Sequence, residues 1–235
     1  PTLGYFGQER GYIDMARDLH RMKTLLDERF PNIPHFLMGH SMGSFLARIY
    51  LSKYRDRWDG AIIMGTAGGI VGSVPLRKLL DFLERDRGDY YRPNVGAKMF
   101  DIFCIAIPIS QRRTPADWLS RDDANVDRFL ADPKCNFTFT VAGYRDLLNA
   151  LLCSNSAAVI ENTPTDIPLL FLSGAMDAVG QYGSGVKKAA SRYIDHGCDV
   201  DIKLYPGARH ELIFELNRDE VMNDILSFFA EKINN

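Results

Sequence analysis

An apolar run, His35-Phe36-Leu37-Met38, leads directly into Gly39-His40-Ser41-Met42-Gly43, and residues 42–54 leave it with Phe45, Leu46, Ile49 and Tyr50 on one helical face. Short glycine–serine patterns arise by chance. A buried strand running in and an amphipathic helix running out restrict this one to a strand–turn–helix. Such a turn presents the serine hydroxyl at the top of a sheet. Gly39 and Gly43 are expected to flank it because a Cβ there would collide with neighbouring backbone. The helix N-terminus beneath the serine favours developing negative charge.

The rest of the chain supplies a sheet for this turn to sit on. Tyr12, Met15, Ala16, Leu19, Met22, Leu25 and Leu26 recur at helical spacing, which predicts a helix over 11–29 that Pro31 and Pro34 end. Ala61 to Met64 reads as a second buried strand, stopping at Gly65. Pro168 to Leu172 is a continuous apolar run, and Val200, Ile202 and Leu204 alternate with Asp201, Lys203 and Tyr205. Between these two, Val186, Ala189, Ala190, Tyr193 and Ile194 mark a helix stopped by Gly197; a last helix uses Val221, Ile225, Leu226, Phe228 and Phe229. Strands alternating with helices predict an α/β fold with a mostly parallel sheet. Residues 68–166 break the rhythm, with helical patterns at Leu79–Leu83 and Tyr144–Leu152 and no buried strand. That length exceeds an ordinary connection. The expected organisation is a core of 1–67 and 167–235 with a helical cap, 68–166, over the C-terminal edge of the sheet.

Composition excludes several functions. Apolar residues at 46% and charged residues at 25% are ordinary for a globular chain, and a net charge of −2 with scattered Lys and Arg argues against nucleic acid. Cys104, Cys135, Cys153 and Cys198 form no C-x-x-C pair, so they read as reduced, mostly buried thiols in a reducing compartment, with the cytoplasm the expected location. The most apolar run, Met99 to Ile109, is interrupted by Asp101 and Pro108 and falls short of the ~20 residues of a membrane helix.

A serine hydroxyl needs a base. His40 lies inside the turn, His20 and His35 lie upstream, and His196 closes a helix. His210, in the loop after the strand at 200–205, is where a base belongs, and Asp177, a few residues past Leu170-Phe171-Leu172-Ser173-Gly174, is placed to orient it. The order Ser41…Asp177…His210 is that of the α/β-hydrolases. His210-Glu211 does not continue to H-E-x-x-H, and Gly65, Gly68, Gly69 and Gly72 precede no Gly-Lys-Ser/Thr. They read as a strand exit, and no metal or cofactor is expected.

With these positions placed, the chain resembles the monoacylglycerol lipase and lysophospholipase-type hydrolases. The likeness is carried by Gly4-Tyr5-Phe6-Gly7, Phe36 to Tyr50, Ser173 to Gly180 and Leu204 to Glu211; Trp118-Leu119-Ser120-Arg121-Asp122 is similar to a bacterial branch. The resemblance implies a Ser-His-Asp esterase acting on a lipid-like ester with one long acyl chain. Phe100, Phe103, Ile105, Ile107, Ile109, Phe137 and Phe139 would then line an acyl pocket, and the cap would touch a lipid surface transiently. Family members begin with several strands and a His-Gly segment that helps bind the oxyanion. Nothing ahead of Ser41 matches it, and His196-Gly197 lies on the wrong side, leaving the backbone amide of Met42 as half the oxyanion hole. The strands expected before 35–38 therefore lie outside this sequence, which would make the strand bearing the serine a sheet edge. Two other readings stay open: an iminopeptidase-like amide hydrolase, and a catalytically silent binding protein on the same fold.

Overall fold

The computed structural model describes residues 2–93 and 112–234. The apolar run Met99 to Ile109, with Phe100, Phe103, Cys104, Ile105 and Ile107, lies outside the described residues. Among those described, four strands form one parallel sheet in the order β1 (Phe36–His40), β2 (Gly60–Met64), β3 (Leu169–Gly174) and β4 (Val200–Tyr205). β1 pairs with β2 from Phe36↔Gly60 to His40↔Met64, and β3 pairs with β4 from Leu169↔Val200 to Gly174↔Tyr205. This register brings the C-terminal ends of all four strands to the same side, where the loops carrying Ser41, Asp177 and His210 emerge.

Every residue of β2 and β3 is buried, as strands covered on both faces require. Ala61, Ile63, Leu169 and Phe171 face a cluster with Ala47, Tyr50 and Leu51 of α2 (Met42–Lys53) and Val186, Ala189 and Tyr193 of α7 (Ser184–His196). On the opposite face Ile62, Met64, Leu170 and Leu172 meet Val221, Ile225 and Phe228 of α8 (Arg218–Asn234). Among the described residues β1 is a terminal strand, with Met38 41% exposed, and α1 (Gly11–Arg29) leaves Met22 and Leu25 in solvent, as does Phe30 just after it.

The described part of 68–166 holds helices α3 (Ser73–Arg87), α4 (Asp123–Ala131), α5 (Val141–Ser154) and α6 (Ala157–Glu161), and no strand. α5 is no detached flap. Its Val141, Tyr144, Leu148 and Leu151 share one apolar cluster with Ala16 of α1 and with Phe45, Leu46 and Ile49 of α2. Arg48 of α2 adds polar ties: fully buried, it donates to Ala67 O, Ser154 O, Asn155 Oδ1 and Tyr193 Oη. The guanidinium thereby binds the strand exit and the end of α5 to the helix behind Ser41.

One buried group in this interface carries a pH signature. Asp146 of α5 is fully buried against the start of α1, so close that a Cβ on Gly11 would lie 2.4 Å from its Oδ2. Burial pushes its carboxyl up to about 6, against the pull of Arg145 and of the Gly11 and Tyr12 amides. An acid whose pKa is raised in the fold favours folding while protonated. That advantage is complete below the unfolded value near 3.8 and is lost as the pH rises through about 6. Asp146→Asn should therefore raise the melting temperature at pH 8, by about 3–6 °C, and change it little at pH 4. Melting curves of both proteins across that range check this; equal shifts at both pH values would rule out a charge effect.

Candidate active site

Ser41 stands between the last residue of β1 and the first of α2, with φ 55° and ψ −122°. A positive φ costs a non-glycine residue strain, which persists only where the surroundings enforce it. Here they do: Ser41 N–H donates to Met64 O at 3.0 Å, and Ser41 O accepts from Ser44 N–H at 2.9 Å. Gly39 is required, since a Cβ on it would come within 2.3 Å of Gly43 O. Gly43 differs from expectation, because a Cβ there would meet nothing within 4 Å. The tight approach uses Gly43's backbone, and its own missing side chain is not what makes room.

Asp177 follows β3 and His210 follows β4. Gly174 lets their loops meet: a Cβ there would lie 2.1 Å from Ala208 O and 2.2 Å from Arg209 O. Met176 N–H then donates to Ala208 O at 2.9 Å. Across this junction His210 Nδ1 lies 3.0 Å from Asp177 Oδ2, with Asp177 fully buried and His210 2% exposed. Asp177 also accepts from Val179 N–H at 2.9 Å and Ser173 Oγ at 3.3 Å. Burial opposes its charge, but His210 and the backbone N–H groups of Val179 and Gly180 outweigh that and hold the carboxyl below its ordinary range. A carboxylate only accepts, so it fixes the proton on Nδ1 and leaves Nε2 as the acceptor. That Nε2 is buried and has no hydrogen-bond partner among the described residues, Ser41 included.

His40 Nε2–H donates to His210 O at 3.0 Å, its ring 4.7 Å from that of His210. Burial first, and His210 second, lower its pKa to about 4, so it is a neutral support for the loop. The other histidines are placed elsewhere: His20 on Asp56, His35 on Asp27 and His196 on Thr163 O. Among the described residues no three His, Cys, Asp or Glu side chains are grouped to hold a metal. The three described cysteines are free thiols, yet only Cys198 is buried; Cys153 is half-buried and Cys135 exposed, against the expectation of mostly buried thiols. Cys135 lines the site cavity, which accounts for its exposure.

Ser41, His40 and His210 share a cavity of about 460 Å³ with Trp118, Phe129, Leu130, Phe137, Phe139 and Glu211. Phe137 and Phe139, expected at an acyl pocket, line this cavity. Trp118, whose ring lies 5.1 Å from that of His210, sits in the string that resembles a bacterial branch, and Glu211 in a His-Glu pair that does not continue to a zinc motif. Nothing in their spacing gives them a role, because they reach the site through the fold. No residue before His40 lines the cavity among those described.

The family model described as serine aminopeptidase, S33 (Hydrolase_4) matches residues 2–217. Monoglyceride lipase of Rattus norvegicus is 27% identical over 90% of this chain and 62% of its own length, so this chain spans less than two thirds of that relative. Monoacylglycerol lipase of Mycolicibacterium smegmatis is 23% identical over 95% of this chain and 72% of its own. A thermostable carboxyl esterase from Bacillus coagulans, solved in complex with glycerol, superposes with a TM-score of 0.90 at 31% identity, over 98% of this chain and 74% of that one. A chain matched over most of its length and folded in this way is a serine hydrolase related to monoglyceride lipases and esterases, and it belongs to the S33 (Hydrolase_4) family of the α/β-hydrolases.

Proposed function

We propose that the protein hydrolyses carboxylic esters of lipid type, monoacylglycerols or lysophospholipids, with Ser41 as nucleophile, His210 as base and Asp177 as the group that orients it. The observation that carries this reading is the buried His210–Asp177 pair: His210 Nε2 has no hydrogen-bond partner among the described residues, and His210 lines the same cavity as Ser41. His210 Nε2 takes the Ser41 proton as Oγ attacks the ester carbonyl. The hydrogen bond forms as substrate seats, since catalytic contacts are often long in a free enzyme. The oxyanion is met by the N–H of Met42, which opens α2 and has no acceptor within its helix. His210 then hands its proton to the leaving alcohol, and water repeats the cycle on the acyl-enzyme.

Residues 68–166 act as the cap in this reading. Trp118, Leu119, Phe129, Leu130, Phe137 and Phe139 give the cavity an apolar wall suited to an acyl chain. With esters of increasing acyl length, kcat/KM should rise up to about fourfold for each methylene, the equivalent of ~0.8 kcal/mol, until the cavity is full. Indifference from acetate to decanoate would exclude a lipid-type ester. The family's descriptive name includes aminopeptidase, which supports a second reading, amide hydrolysis at an N-terminus. A pair of cavity carboxylates would favour that reading, and among the described lining residues Glu211 is the one carboxylate. The same panel extended to aminoacyl anilides separates the two, with ester turnover far exceeding anilide turnover expected.

A further inference from the structure

The loop bearing His210 is stitched to a segment nearly a hundred residues earlier. Glu211 N–H donates to Leu119 O at 2.7 Å, Ser120 Oγ to Phe214 O at 3.0 Å, and Arg209 Nη1 to Asp117 O at 2.6 Å and Ser120 O at 2.9 Å. At the centre is Glu215, a fully buried carboxylate. Its Oε1 accepts from the backbone N–H of Arg209 at 2.8 Å and of Arg121 at 3.1 Å. Its Oε2 accepts from Arg121 Nε at 2.9 Å and from Leu216 N–H at 3.0 Å. Arg121 Nη2 continues to Asn217 Oδ1 at 2.8 Å. A buried charge is costly unless paired and hydrogen-bonded, and this one is saturated at both oxygens.

We propose that Glu215 and Arg121 are a positioning pair for catalysis: they lock the loop of His210 to residues 117–121, so that the base and the Trp118 ring beside it form one rigid wall. The inference rests on the triad reading above. Asp177 fixes the imidazole through Nδ1, but the backbone that carries His210 lies on a loop, and loops hold side chains less precisely than strands or helices do. The Glu215 carboxylate reaches the residue immediately before His210 and ties it to Arg121 by side chain and backbone together. The segment 117–121 therefore belongs to the base.

Glu215→Gln tests the pair with almost no change of shape. The amide keeps one acceptor and turns an N–H donor toward Arg121 Nε and Leu216 N–H, so two of the four bonds are lost. With p-nitrophenyl acetate, whose acyl group barely uses the cavity, kcat should fall about 10- to 100-fold and KM stay within about threefold. The assay runs well below the melting temperature, with folding verified by circular dichroism. The Nδ1 proton of His210, read by NMR, should shift or broaden. Arg121→Lys, which keeps the charge, should retain more activity than Arg121→Gln; these two variants carry the test if Glu215→Gln is not obtained folded. Wild-type kcat in the folded variants, with only the melting temperature lowered, overturns the proposal. Ser41→Ala measured alongside separates the two readings. Its inactivity with full turnover in Glu215→Gln overturns the lock alone, whereas its full activity overturns the triad and the lock together.

Discussion

Ser41→Ala should abolish ester turnover, with a loss on the order of 10⁶ in kcat, and leave the protein folded. The size of the effect follows from what the hydroxyl alone supplies: with Oγ gone, no acyl-enzyme forms, and the cavity and the amide of Met42 act only on water. The fold should survive because the turn is held by backbone bonds, Ser41 N–H to Met64 O and Ser44 N–H to Ser41 O, which alanine retains. Alanine has the same Cβ, so the strain at φ 55° is unchanged in kind. Near-identical circular dichroism and melting temperature, with activity at background, are the expected result. Retention of more than about one per cent of the activity would remove Ser41 from the mechanism.

Asp177→Asn should lower kcat by about 10⁴. Asn preserves the shape and can still accept from Val179 N–H through Oδ1, so the loop after β3 keeps its conformation. Its amide nitrogen replaces Oδ2, and a donor now faces His210 Nδ1. The imidazole answers by placing its proton on Nε2, the atom that must take the proton from Ser41. The loss therefore falls on the tautomer and not on binding, and KM should change little. Steady-state kinetics of the variant check both parts; a loss smaller than tenfold would mean that another acid orients the base.

Much of this arrangement is legible in the chain because its parts are local. Three of the four strands are marked by apolar runs and β4 by alternation, and their order in the chain brings the three loops to one end of the sheet. The apolar run at 35–38 marks β1 but not its end at His40, since Gly39 and His40 pair with Ile63 and Met64 through the backbone, which side-chain patterning does not reveal. The helical pattern from Leu79 to Leu83 marks only part of α3, which spans Ser73–Arg87; Pro75 in its first turn looks like a breaker, but there no helical N–H is needed. α4 starts at a cap, Asp122 accepting from the Ala124 and Asn125 amides, and is too short for its periodicity to stand out. α6, with five residues, is shorter still.

What stayed illegible is non-local. Glu215 and Arg121 are 94 residues apart, and no spacing rule links a buried glutamate after β4 to an arginine between β2 and β3. The same holds for Arg48, which looks like one more surface residue of an amphipathic helix. It is buried because α5 returns over α2 and presents the Ser154 carbonyl oxygen to it. Single-sequence patterning finds faces of elements; it does not find which two faces meet.

The central claim is that Ser41 is an activated nucleophile in the cavity it shares with His210. Labelling with a fluorophosphonate, followed by peptide mass spectrometry, tests it most directly, because the reagent bonds only to a serine made nucleophilic by its surroundings. The account predicts one adduct per chain, on the peptide containing Gly39-His40-Ser41-Met42-Gly43, and none in Ser41→Ala. An adduct on another serine, or labelling undiminished in Ser41→Ala, would contradict it.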